Sequence, residues 1–192
     1  VISLDFELSW GVRDVLDARS SYNANIRGAR AAVPAILDLF EKYGVAATWA
    51  TVGFLFAKNH DELVAHMPPP EERPIYENPR LDPYAERLGR NEQDDPLHYA
   101  GSLVERIART PRQEVGSHTF SHYFCLEPGQ NRRAFEADLR AARSIANARR
   151  LEVSSLVLPR NQLNVEYRDA IAAAGFTACL LYTSPSPRDR TR

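Results

Sequence analysis

Residues 25–51 read NIRGARAAVPAILDLFEKYGVAATWAT. Ile26, Ala29, Val33, Ile36, Leu37 and Phe40 recur at steps of three and four, the apolar stripe of a helix. Lys42 in the last turn and Gly44 just past it are stop signals. Val45–Thr51 is then rich in β-branched and aromatic residues, which predicts a strand. Upstream, residues 1–8 (VISLDFEL) alternate, with Ile2, Leu4, Phe6 and Leu8 on one face and Ser3, Asp5 and Glu7 on the other. A loop follows through Gly11. Strand, helix and strand without a hairpin signal make a parallel βαβ unit with a right-handed crossover.

The same alternation continues downstream. Helices are expected over 97–109, 131–149 and 166–174, and strands over 113–116, 153–158 and from Phe176 onward. In the 131–149 helix Phe135, Leu139, Ala142 and Ala146 face inward, while Arg132, Arg133, Arg140 and Arg143 read as a solvated face. The class is parallel α/β, and a barrel or an open doubly wound sheet would both fit. A complete eight-unit barrel needs about 250 residues, and this chain has 192. Residues 68–96 hold seven of the thirteen prolines and are expected to be an irregular excursion, a lid or substrate-binding insertion.

Composition narrows the function classes. A chain 44% hydrophobic and 26% charged is neither collagenous, disordered nor a disulfide scaffold, and no apolar run approaches a membrane span. A net charge of -1 argues against nucleic acid or an anionic membrane as the main partner. The chain opens at Val1 inside a strand-like run, so the N-terminus is expected to be truncated; a leader could have preceded it, and cytoplasmic and envelope-associated locations both stay open. Residues 179–192 resemble a translated library adapter and are expected to be a non-native tail, leaving 1–178 as one incomplete domain. Within it Cys125 is the one cysteine, expected to be a buried small hydrophobe.

Two constellations carry chemistry. Asp5 and Glu7 stand at i and i+2 near the end of the first strand, on one face; they suit a cation or an acid/base pair, or else a solvent-facing edge. His118 and His122, in EVGSHTFSH, can face one point if the segment turns. His60, His66 and His98 have no such partner and read as surface or packing residues. The carboxylates end one strand, the histidines follow another and Pro159-Arg160-Asn161-Gln162 follows a third. Reacting groups collect at such strand ends in parallel α/β folds. Glu7, His118 and His122 would form a two-His, one-carboxylate metal site, zinc-like, with Asp5 free to take a proton and Arg160 to orient Asp5. Trp10 could offer a stacking wall to a sugar or pack in the core, and Asn161 and Gln162 could bind substrate or serve as loop polar groups. No G-x-S-x-G elbow and no G-x-G-x-x-G loop is present.

Ser3–Glu7, the Gly116–His122 stretch and Pro159-Arg160 together resemble the NodB-like polysaccharide deacetylases, metal-dependent hydrolases on a distorted (β/α) barrel. The resemblance implies a partial barrel here, with Asp5 as catalytic base, Glu7, His118 and His122 as ligands of a divalent metal, with zinc expected, and Arg160 tethering the base. It implies an acetylated glycan or sugar as substrate. The chain departs from the family pattern in carrying Asp-Phe-Glu in place of two adjacent aspartates and in placing Arg160 after its proline. The general-acid histidine of the family is expected beyond residue 178, so slow or absent turnover is expected of this chain. Hydrolysis of another C–N bond, or carbohydrate binding without catalysis, are the rival readings.

Overall fold

The computed structural model describes residues 2–16 and 21–180. Five strands, β1 (Ser3–Phe6), β2 (Ala47–Thr51), β3 (Gln113–Ser117), β4 (Ser155–Val157) and β5 (Ala178–Leu180), form one sheet in the order β1-β2-β3-β4-β5. Every pairing is parallel. The strands curl into a half-barrel alternating with helices. A doubly wound sheet reverses its strand order at a switch point; the sequential order here decides for the partial barrel. Cys179 and Leu180 pair with β4, while residues 181–192 of the expected tail lie outside the described residues.

Helix α1 (Asn23–Tyr43) connects β1 to β2 and buries Ile26, Val33 and Leu37. Gly44 closes it in the left-handed region at φ 65°, where the Val45 amide reaches back to the Phe40 carbonyl at 2.8 Å. Trp49 of β2 sits beneath this helix, its ring meeting Phe6 edge-on and Phe40 at a tilt. Two short elements escaped the sequence reading: a 3-10 turn at Gly53–Phe56 and helix α2 (His60–His66), capped by Asn59. Helix α3 (Gly101–Arg109) begins four residues later than the pattern suggests, because the His98 and Tyr99 amides donate to the Asp95 carbonyl instead.

Helix α4 (Arg132–Ala148) buries Phe135, Leu139, Ala142 and Ala146 as expected, and also Asp138. Its arginines do more than meet water. Arg133 and Arg140 pair with Glu72 at 3.1 and 3.0 Å, and Arg143 donates to the Val153 carbonyl. Helix α5 (Arg168–Ala173) leads to β5. The 68–96 excursion is irregular as expected, with 3-10 turns that each start on a proline, and it is tied to the loop before α4. The Ile75 and Glu77 amides donate to the Gly129 and Pro128 carbonyls, and Tyr76 packs with Leu81 and Phe124.

Candidate metal centre

Phe6, Thr51 and Ser117 share the last paired row of the first three strands, and Glu7, Val52 and His118 each follow by one residue. Strands two apart are separated by roughly 10 Å at the backbone, so Glu7 and His118 meet only because the sheet curls and the glutamate is long. Glu7 Oε2 lies 3.5 Å from His118 Nε2 and 3.0 Å from His122 Nε2. Ligand atoms of the three residues fall within 4.8 Å of one another, the one such group among the described residues.

The two histidines converge through a tight turn. Thr119 and His122 adopt left-handed backbone, φ 62° and 57°, which costs an L-residue about 1–2 kcal/mol and has to be imposed by the surroundings. Side chains impose it. The Thr119 amide donates to Ser117 Oγ at 3.1 Å, the Tyr123 amide to Thr119 Oγ1 at 2.7 Å, and the Phe120 and Ser121 amides to Asp138 at 2.7 and 3.0 Å. Every amide between the histidines therefore has an acceptor. Gly53 backs the turn: its amide donates to the Thr119 carbonyl at 2.9 Å, and a Cβ there would lie 2.7 Å from Phe120 Cα.

Protonation states follow from these contacts. His118 Nδ1 lies 2.9 Å from the Val157 carbonyl, so Nδ1 carries the hydrogen and Nε2 turns to Glu7. Burial opposes ionisation of Glu7, but hydrogen bonds and charge from His118 and His122 outweigh it and hold the carboxyl well below its usual range. Burial also pushes His122 down to about 4, helped by His118 and Arg13 and opposed by Glu7. For His118 burial is again the largest influence and acts downward, yet Glu7, Asp5 and the Val157 carbonyl together raise it. Asp5, open to solvent by area, is nonetheless raised by the protein packed about its carboxyl, with His118 opposing and Glu7 adding.

The donor set fits a divalent cation. Ligands held about 2.0–2.2 Å from a tetrahedral zinc stand roughly 3.3–3.5 Å apart, close to the 3.5 and 3.0 Å found between Glu7 and the imidazoles. Space for the carboxylate is made by Gly11, where a Cβ would sit 2.0 Å from Glu7 Cδ. A cavity of about 360 Å³ between β1 and α1 is lined by Asp5 and Glu7 along with Leu4, Phe6, Ile26 and Trp49.

The remaining expected site residues divide differently. Arg160 does not reach Asp5 as a tether. It leaves β4 in left-handed backbone at φ 54°, binds Asp14 and Glu127, and lies 4.2 Å over the Phe124 ring. Trp10 is no sugar wall: it is 0% exposed, packed edge-on against Phe54 at 4.6 Å, with Nε1 donating to the His98 carbonyl at 3.1 Å. Gln162 has both ends committed, accepting from the Leu126 amide and donating to Glu127. Asn161, left-handed at φ 54°, donates its amide to the Leu158 carbonyl. His66 and His98 are occupied by Ser144 and Asp95, and Cys125 is buried as a free thiol.

Sequence reading missed Arg13 and Asp138. Arg13 donates to the Trp10 and Leu81 carbonyls at 2.7 and 2.8 Å and places Nη1 3.4 Å from His122 Nδ1, joining the loop after β1, the excursion and a candidate ligand. Nothing in the sequence pattern marks it. Asp138 did leave a signal, a carboxylate inside the stripe Phe135, Leu139, Ala142. Its burial pushes its pKa up to about 6 against the hydrogen bonds from Ser121 and Phe120.

A family model described as "Polysaccharide deacetylase" matches residues 27–179. No curated protein sequence matches the chain. Among solved structures, one described as a polysaccharide deacetylase from Mycobacterium smegmatis superposes with a TM-score of 0.63 at 12% identity, over 93% of this chain and 49% of that one. A mutant of BA3943, a family 4 carbohydrate esterase pseudoenzyme from Bacillus anthracis, with restored activity, gives 0.53 at 14% identity, covering 93% and 43%. The family 4 carbohydrate esterase from Streptomyces lividans, in complex with acetate, gives 0.50 at 13%, covering 93% and 60%. At these identities the superpositions speak for the fold, and the chain spans about half the length of the structures it matches. With the half-barrel and the family match over residues 27–179, the chain belongs to the polysaccharide deacetylase family.

Proposed function

We propose that the chain carries the metal site and the base of a hydrolase that removes acetyl groups from N- or O-acetylated sugars of a polysaccharide or glycan precursor. The observation that supports this most is the convergence of Glu7, His118 and His122 at adjoining strand ends, with Asp5 two residues before Glu7. A divalent ion held there, zinc by the donor set, would supply Lewis acidity and a water whose pKa falls to about 7. Three protein ligands leave a position open to substrate. Asp5 is not needed as a ligand, and the crowding that raises its proton affinity suits it to accept a proton at the site. The adjoining cavity between β1 and α1 offers room of the order of small-molecule sites.

An aryl ester tests this without needing a general acid, since its leaving group departs unprotonated. The zinc-loaded chain should hydrolyse para-nitrophenyl acetate and lose that activity to a chelator. Asp5→Asn should lower the rate about 10²–10⁴-fold, the usual worth of a positioned base, with zinc content unchanged. On a panel of acetylated sugars and other amides the product should be acetate and not ammonia. Ester hydrolysis indifferent to both the chelator and Asp5→Asn would overturn the reading.

A further inference from the structure

Asp138 is buried on α4, 1% exposed, and its carboxylate touches neither histidine. It accepts the Phe120 amide at 2.7 Å, the Ser121 amide at 3.0 Å and the Ser121 hydroxyl in a short bond. Phe120 and Ser121 lie between His118 and His122, in the turn whose left-handed residues Thr119 and His122 set the angle between the two rings. Those rings stand 5.1 Å apart, inclined by 59°. Nearby, the Tyr84 hydroxyl is buried beside Ser121, and burial together with the Asp138 charge keeps it well above its usual pKa, with Ser121 and Arg73 opposing. Phe120 and Ser121 are themselves fully buried, so their two amides depend on this one carboxylate.

We propose that Asp138 is a positioning residue for the metal centre: by gripping the Phe120 and Ser121 amides from α4 it fixes the separation and tilt of His118 and His122, and so sets metal affinity and coordination geometry. The inference rests on the reading of Glu7, His118 and His122 as metal ligands. Groups that orient ligands are typically worth about 10–100-fold in metal affinity. Asp138→Asn keeps the shape of the side chain but turns an NH2 group toward one of the donors.

Cobalt titration of the full chain, followed by visible absorption and accompanied by circular dichroism, tests it. Wild type should bind one cobalt ion. Asp138→Asn, with an unchanged dichroism spectrum, should bind it about 10–100-fold more weakly and show an altered visible band at saturating cobalt. Ser121→Ala removes only the hydroxyl contact and should lose about two- to tenfold, which decides the matter if Asp138→Asn does not fold. Wild-type cobalt affinity and band shape in the folded Asp138→Asn protein, or in Ser121→Ala should that variant alone fold, would overturn the role of Asp138 even if thermal stability fell. Failure of the wild type to take up cobalt would overturn the metal reading itself, and this inference with it.

Discussion

Glu7→Ala should lower zinc affinity by roughly 10²–10³-fold, measured by competition with a chromophoric chelator. Four-ligand zinc sites bind with about 10–16 kcal/mol, or roughly 3–4 kcal/mol per ligand, and each 1.4 kcal/mol is a factor of about ten. Glu7 is also the group that both imidazoles face, at 3.5 and 3.0 Å, so its loss removes a ligand and the negative charge that offsets the cation. Gly11→Ala should come close to the same loss with all three candidate ligands still in the chain. The added methyl would lie 2.0 Å from Glu7 Cδ, and Gly11 is outside the left-handed region, so the backbone accepts alanine and the clash falls on the carboxylate. Wild-type affinity in both variants would remove Glu7 from the site.

Trp10→Ala should destabilise the fold by about 3–5 kcal/mol, the usual cost of emptying a buried tryptophan site, read from urea unfolding. That is a large part of the roughly 5–15 kcal/mol that holds a domain together. The indole fills space against Phe54 and the His98 ring and anchors the segment before α3 through its bond to the His98 carbonyl. Trp10→Phe keeps most of the apolar volume and should cost less, leaving the His98 carbonyl without this donor. A surface stacking wall would behave in the opposite way, with stability unchanged on truncation.

Why some of this was legible and some not has a physical basis. The βαβ unit over residues 1–51 was readable because α1 has one apolar stripe and a glycine at its left-handed cap, both local properties. Periodicity alone did not separate the barrel from the doubly wound sheet, since strand order depends on pairings between distant segments; the family resemblance implied the partial barrel, and the strand order bears it out. The late start of α3 came from Asp95 capturing the amides of His98 and Tyr99, a contest that periodicity does not register. At the candidate site, the convergence of Glu7, His118 and His122 was legible because strand ends are placed by the fold and their residue types are few. Arg160 was misassigned to Asp5 because Asp14, its actual partner, sits in a loop whose position is tertiary. Trp10 shows the same limit: an aromatic just past a strand end can line a cleft or plug the core, and only packing chooses. Asp138 was legible in principle, as a carboxylate in the buried stripe of α4, a place where such a group needs partners.

The central claim is that Glu7, His118 and His122 share one cation, and X-ray absorption at the zinc edge on the stoichiometrically loaded chain tests it most directly. Two imidazole rings, with nitrogen and oxygen neighbours at about 2.0–2.2 Å and no sulfur, are the predicted shell, reduced to a single ring in His122→Ala. A shell containing sulfur, or one whose imidazole count is unchanged in His122→Ala, would contradict it.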